Sequence, residues 1–289
     1  VGGYTQSNDG DVSGNHGDKD AWVVKLNSAG IVEWQKSLGG SEWEDLWSIE
    51  KTVDGGYIMA GRSNSNNGDV SGNHNGSLDY WIVKLDSAGI IEWQKSLGGS
   101  ADDTGFSIKQ TTDDGYILIG TARSNDGDVS GNNGNVDIWV VKLTNSGVIE
   151  WQNAVGGEHL DAGSDIFETA DGYIACGHTG SHNSGDVTGH HGSLDCWVLK
   201  FNKIGDLLWQ KTLGGSNADY GQNIIQTRDG MYVVVGTTKS KDGDVTGNNG
   251  IQVAWVVKLS ESGDLIWQKT LGGTEGEYGA SIQHTSDLG

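Results

Sequence analysis

The stretch SNDGDVSGNHG that begins at Ser7 returns as SNNGDVSGNHN from Ser65, SNDGDVSGNNG from Ser124, HNSGDVTGHHG from His182 and SKDGDVTGNNG from Ser240. Its second aspartate falls at Asp11, Asp69, Asp128, Asp186 and Asp244, at spacings of 58, 59, 58 and 58. Two sets of tryptophans keep the same beat: Trp22, Trp81, Trp139, Trp197 and Trp255, then Trp34, Trp93, Trp151, Trp209 and Trp267. Such short units bury a core only by packing copies against one another, so the chain is a repeat architecture.

Within one repeat, FSIKQT from Phe106 and GYILIGT from Gly115 read as strands joined by the tight turn TDDG. After the long polar loop, IWVVKL from Ile138 and VIEWQN from Val148 are joined by TNSG. The second and third strands are nearly unbroken apolar runs, which predicts burial on both faces. The fourth alternates Ile149 and Trp151 with Glu150 and Gln152, which predicts an outer strand with one wet face. Helical periodicity is absent, and four antiparallel strands per repeat match a β-propeller blade. Val1 aligns with Met59 in strand two, whereas the closing SIQHTSDLG aligns with strand one. That phase predicts a single all-β domain over residues 1–289, a five-bladed propeller whose ring closes by its N- and C-terminal strands sharing a blade.

Charge narrows the partners. Lys and Arg total 18 against 39 Asp and Glu, a net charge of −21, which repels nucleic acid and anionic membrane surfaces. No run of 18 apolar residues offers a membrane span. The chain starts inside a repeat and without an initiator methionine, which suggests a portion of a longer polypeptide. Cys176 and Cys196 lie in neighbouring strands of one repeat, as a bridge or as two small buried thiols.

The run from DYWIVKLDSAG through IEWQKSLGGSADDTGFSI to TTDDGYILIGTARSNDG resembles the bacterial β-propeller repeat called SBBP, across all five copies. It is also similar to repeats of large secreted surface proteins of Bacteroidetes. The resemblance implies a propeller outside the cell or on its surface and transfers no catalytic residue. The polar loop departs from the generic repeat in lacking proline.

The opening loop also carries the spacing of a calcium loop: Asp9, Asp11, Ser13 and Gly14 at positions 1, 3, 5 and 6, with Asp20 at position 12. The third copy has Asp126, Asp128, Ser130 and Asp137, and the second has Asn67, Asp69, Ser71 and Asp79, the last one place late. The fourth offers Ser184, Asp186, Thr188 and Asp195; the fifth offers Asp242, Asp244 and Thr246, with Val253 where the last acid belongs. Calcium bound by these oxygens is one reading. Asx and ST turns, in which the same side chains bond nearby amides and point apart, are the other.

If strands alternate up and down, the long loops and the connections between blades share one face. Trp43 and Trp47 fall in such a connection, where the other copies align with Ala101 and Phe106, His159 and Ser164, Asn217 and Gln222, or Glu275 and Ala280. They suit stacking on a sugar ring or anchoring a partner, and Trp47 alternatively fills a gap between blades. Each connection carries an acid: Glu44, Asp103, Asp161, Asp219 and Glu277. Glycoside chemistry needs two carboxylates in unlike environments, and fivefold copies make like ones, so capping of nearby amides is the competing role. His182, His190 and His191 crowd one loop as a candidate transition-metal cluster. The expectation is a non-catalytic binding module for a glycan or other repetitive ligand, with a structural or protein-interaction propeller as alternative and a glycan-active enzyme as a third.

Overall fold

The protein is seen in a computed structural model that describes residues 1–74 and 77–285. Its strands are β1 (Gly2–Thr5), β2 (Asp20–Leu26), β3 (Val32–Leu38), β4 (Glu44–Lys51), β5 (Tyr57–Ser63), β6 (Asp79–Leu85), β7 (Ile91–Leu97), β8 (Asp103–Gln110), β9 (Tyr116–Ala122) and β10 (Asp137–Leu143). They continue with β11 (Ile149–Val155), β12 (Asp161–Thr169), β13 (Gly172–Thr179), β14 (Asp195–Asn202), β15 (Leu207–Leu213), β16 (Asp219–Gln226), β17 (Tyr232–Thr238), β18 (Val253–Leu259) and β19 (Leu265–Leu271). The architecture is an all-β, five-bladed β-propeller. The sheets run β1-β2-β3, β4 to β7, β8 to β11, β12 to β15 and β16 to β19, each in chain order and antiparallel where register is defined.

The chain forms two compact units, Val1–Asn132 with Trp139–Asn153, and Asn133–Ile138 with Ala154 onward. In the first, Ala21, Val23, Leu38, Leu46, Met59, Trp81 and Val83 make one core between the first two sheets. In the second, Ile174, Val198, Ile224, Val234, Trp255 and Val257 do the same between the last two. All seven residues of β6 are buried, and β7 carries its exposed residue at Glu92, as the apolar runs and the alternation predict. Within the first unit the β4–β7 sheet packs against both the first sheet and the third, which is why its middle strands tolerate so few polar residues.

The tryptophans of strand three are inside: Trp81, Trp139, Trp197 and Trp255 are the largest fully buried side chains. Each buries ~150–250 Å², which stabilises the fold by ~4–6 kcal/mol as an upper figure at ~25 cal/mol/Å². Indole also carries an N–H that burial would orphan. Trp139 Nε1 donates to Gln152 Oε1 at 2.7 Å, and Gln152 Nε2 donates in turn to Ser130 Oγ at 2.6 Å. The same relay joins Trp81, Gln94 and Ser71 and recurs in the other blades. Glycine is required at Gly147, where φ is +75° and a Cβ would come 3.0 Å from the Trp93 ring.

The strand boundaries move slightly from expectation. β8 starts at Asp103, three residues before Phe106, because a register shift between Gly105 and Ser107 carries the ladder past a bulge. The first sheet holds three strands. Residues 281–285, which the phase of the repeat assigns as its fourth, carry no assigned strand. Within their own unit, Ile282 N donates to Asn223 Oδ1 at 2.9 Å; 286–289 of that stretch lie outside the described residues. Cys176 and Cys196 are buried free thiols. Register explains it: Cys176 faces Val198 and Cys196 faces His178, so the two are diagonal rather than opposite.

Candidate functional site

The long loop owes its composition to where each oxygen points. In the third copy Asp126 Oδ1 accepts Ser100 N at 2.7 Å. Asp128 clamps Gly98 from both sides, its N donating to Gly98 O at 2.8 Å and its Oδ2 accepting Gly98 N at 3.3 Å. Asp137 Oδ2 accepts Asn133 N at 2.7 Å. Positions 1 and 3 therefore staple the loop to the preceding LGGS connection, position 5 ties it to its own outer strand, and position 12 caps its own end.

The copies agree. Asn67 accepts Ser41 N, Asp69 accepts Gly39 N and Asp79 accepts His74 N. Asp186 accepts Gly156 N and Asp195 accepts His191 N, while Asp242 and Asp244 accept Ser216 N and Gly214 N. In the first loop Ser13 accepts from Gln35 and Asp20 from His16, while Asp9 and Asp11 stand exposed. The amides of Ser100 and Ser216 hold Asp126 and Asp242 below the usual carboxylate range. The oxygens proposed for calcium thus face different partners, and among the described residues no three of His, Cys, Asp and Glu converge on one point.

The acids of the connections are fully buried at Glu44, Asp103, Asp161 and Asp219. Each accepts the second glycine's amide of LGG, at 2.9 Å from Gly40, 2.9 Å from Gly99, 2.8 Å from Gly157 and 2.8 Å from Gly215. Hydroxyls of Ser63, Ser124, Ser181 and Ser240 complete them. Glu277 is half-buried, with Oε2 unpartnered.

These acids do not stand alone, and the expectation of like environments needs correcting. At Gly98 a Cβ would lie 2.7 Å from both Asp103 Oδ2 and Asp79 Oδ1, so the glycine is the space into which two carboxylates lean. Gly39, Gly156 and Gly214 seat Asp20 with Glu44, Asp137 with Asp161, and Asp195 with Asp219. In every pair the position-12 aspartate keeps a buried Oδ1 without a hydrogen-bond partner, at Asp20, Asp79, Asp137 and Asp195. Desolvation, with the neighbouring carboxylate adding, pushes Asp79 and Asp137 up to about 6. Both members of each pair are sealed from solvent, so the arrangement offers no surface to a substrate. Sequence reasoning missed the pairing because its two members are assigned to separate loops; their joint recurrence beside LGG was the available signal.

One group of exposed aromatic and charged side chains stands in the first unit. Trp43 and Trp47 are each 43% exposed. Lys19 Nζ lies 3.5 Å from the centre of the Tyr4 ring and 5.3 Å from that of Trp43, and Arg62 lies 4.7 Å over Trp47. Asp45 pairs with both cations. Trp47 also leans on Phe106 with ring centres 5.1 Å apart, so it fills a gap between blades while showing its other side. Isolated bridges join Lys19 to Trp43, Val136 to Leu160, Leu194 to Ala218 and Gln252 to Gly276. The counterparts of Trp43 are therefore Leu160, Ala218 and Gly276, one residue on from the sequence alignment.

The histidine trio also changes. His191 Nδ1 is 2.9 Å from Asp195 Oδ2 and serves the loop. His182 and His190 are in ring contact, and His159 joins them from the neighbouring connection.

No family model matches the sequence, and no curated protein matches it. A protein of unknown function from Bacteroides caccae is similar in structure over 87% of this chain and 74% of its own, at 10% identity and a TM-score of 0.47. BamB from Moraxella catarrhalis is similar over 86% of this chain and 70% of its own, at 12% identity and a TM-score of 0.40. An apocarotenoid oxygenase from Synechocystis is similar over 89% of this chain and 58% of its own, at 12% identity and a TM-score of 0.42.

Proposed function

We propose that the chain is a non-catalytic binding propeller of the SBBP-repeat type, working outside the cell or on its surface as part of a longer protein, with a glycan as ligand. One observation carries this: Trp43 and Trp47 break the repeat, stay half-exposed, and are held in place by Lys19, Arg62 and Asp45. Strand three puts Trp81, Trp139, Trp197 and Trp255 fully inside, whereas these two leave indole surface in solvent at a cost in apolar burial. A flat ring flanked by fixed charges offers a pyranose both a stacking face and hydrogen-bond partners. Immobilised glycans are expected to bind the chain, and Trp43→Ala to abolish the binding with the circular dichroism unchanged. A chain that binds no glycan, or binds as well after the substitution, refutes the reading.

A protein-interaction propeller is the second reading, favoured by a different surface. Trp267, Leu271 and Tyr278 are 44%, 51% and 76% exposed, whereas the equivalent Trp209 packs into its core. Capture of a partner protein that Trp43→Ala leaves intact would support it.

A further inference from the structure

We propose that His159, His182 and His190 form a binding site for a borderline divalent transition metal of the zinc, nickel or copper class. The repeat makes these residues stand out. Position 190 is asparagine in every other copy, at Asn15, Asn73, Asn132 and Asn248, and position 159 is Glu42, Ala101, Asn217 or Glu275. His182 has no counterpart. Ser181 Oγ bonds Asp161 as Ser124 Oγ bonds Asp103, and Asn183 accepts Gly189 N as Asn66 accepts Gly72 N. Ser124 and the next asparagine are adjacent, so the residue between Ser181 and Asn183 is an insertion peculiar to this blade.

The geometry then gives His190 a ligand's tautomer. Asn73 and Asn132 use their amide N–H to hold the carbonyls of Ser63 and Ala122. His190 keeps that bond with the carbonyl of Thr179, while its Nε2 is buried and has no hydrogen-bond partner. Nδ1 is therefore the donor and Nε2 carries a bare lone pair, the state in which imidazole binds metal with a carbonyl orienting it from behind. The His182 ring lies 4.4 Å from His190 and the His159 ring 5.8 Å from His182, both edge to face. In the rotamers seen the three rings do not converge on one point; His159 and His182 are exposed, and the site we propose forms when rotation about their χ angles, fast at exposed sites, brings their nitrogens to His190 Nε2. Nitrogen donors of this kind select zinc, nickel and copper over calcium or magnesium.

Isothermal titration of the chelator-treated chain with Ni²⁺ or Zn²⁺ at pH 7.5 is expected to show one site per chain. His190→Asn restores the residue of the other blades together with its carbonyl bond, and is expected to weaken binding at least tenfold. The exposed substitution His182→Ala is expected to do the same, and His74→Asn, at a histidine tied to Asp79, to change nothing. Copper bound to the wild type is expected to show several imidazole nitrogens by electron paramagnetic resonance. Absence of binding, or binding that both His190→Asn and His182→Ala leave unchanged, overturns the site and assigns any uptake to adventitious surface histidines.

Discussion

One strand, β6, buries an acid at its first residue and a base near its last, and the fold treats them in opposite ways. Lys84 is 3% exposed yet charged, because Asp54 Oδ2 at 2.8 Å and Glu92 Oε2 at 2.7 Å reach it from the wet rim. Their attraction overcomes the desolvation that would lower its pKa, and Lys84 in turn draws Asp54 down to about 2. Asp79 receives no cation strong enough to do this. It faces Asp103 across Gly98, with His74 at 2.8 Å on its other oxygen, and burial wins, lifting it to about 6. A buried charge survives where counter-charges reach it, and a buried carboxylate beside another takes up a proton where they do not.

The largest test breaks the lysine end. Asp54→Asn with Glu92→Gln keeps shape and hydrogen-bond acceptors but strips both counter-charges, leaving the ammonium only neutral acceptors, the Leu85 carbonyl at 3.1 Å among them. Breaking a buried pair costs about 3 kcal/mol or somewhat less here, since both carboxylates are half-exposed. A urea midpoint that moves by the equivalent of under about 1 kcal/mol would show that Lys84 does not rely on its charge partners.

The repeat and the strand pattern were legible because both follow from which residues face a core. Trp139 and Trp151 stand twelve residues apart in every copy, and that interval can only be two paired strands and a tight turn. The site was harder to read for a physical reason. Asp128 and Asp137 sit on a loop whose shape is set by the preceding connection, and a loop's own sequence does not say that Gly98 will lie against it. The calcium spacing of Asp9, Asp11, Ser13 and Asp20 arises equally when alternate side chains cap amides on opposite sides of a turn. Trp43 was seen as unusual, while its partners Tyr4 and Lys19 come from distant positions with no shared motif.

A smaller effect is expected at the acid end. Asp79→Asn fixes as a neutral amide the state that the wild type takes up only as pH falls through about 6, still accepts the His74 amide, and is expected to shift stability by less than about 1 kcal/mol at pH 7. The pH profile sharpens this. Asp79 and Asp137 have folded-state values above their unfolded ones, so the native state holds extra protons between about pH 4 and 6 and stability falls as pH rises through that window. His74, raised by its bond to Asp79 against desolvation, acts in the same direction. Asp54, Asp113 and Asp229 lie at about 2, so their contribution is complete above about pH 4 and is lost as pH falls through 2. The melting temperature is therefore expected to peak near pH 4 to 5, and Asp79→Asn to flatten the alkaline limb while leaving the acid limb alone. A peak at pH 7 or above sinks the account of the paired acids.

The smallest expected effect is calcium, and it decides what the orphaned oxygens hold. Asp20, Asp79, Asp137 and Asp195 each leave one buried Oδ1 beside a second carboxylate, which a proton or a cation would satisfy equally in charge. They differ in room: calcium takes six to eight oxygens at ~2.3–2.6 Å, whereas the space between Asp79 and Asp103 is bounded by the Gly98 backbone and would not clear even a methyl group. A proton needs no such space. Melting temperatures in millimolar calcium and in chelator are accordingly expected to agree within about 1 °C, below the shift of several degrees that ligand binding to the native state produces. A rise of that size with calcium, abolished by Asp79→Asn, would make these pairs cation ligands after all and erase the contrast with Lys84.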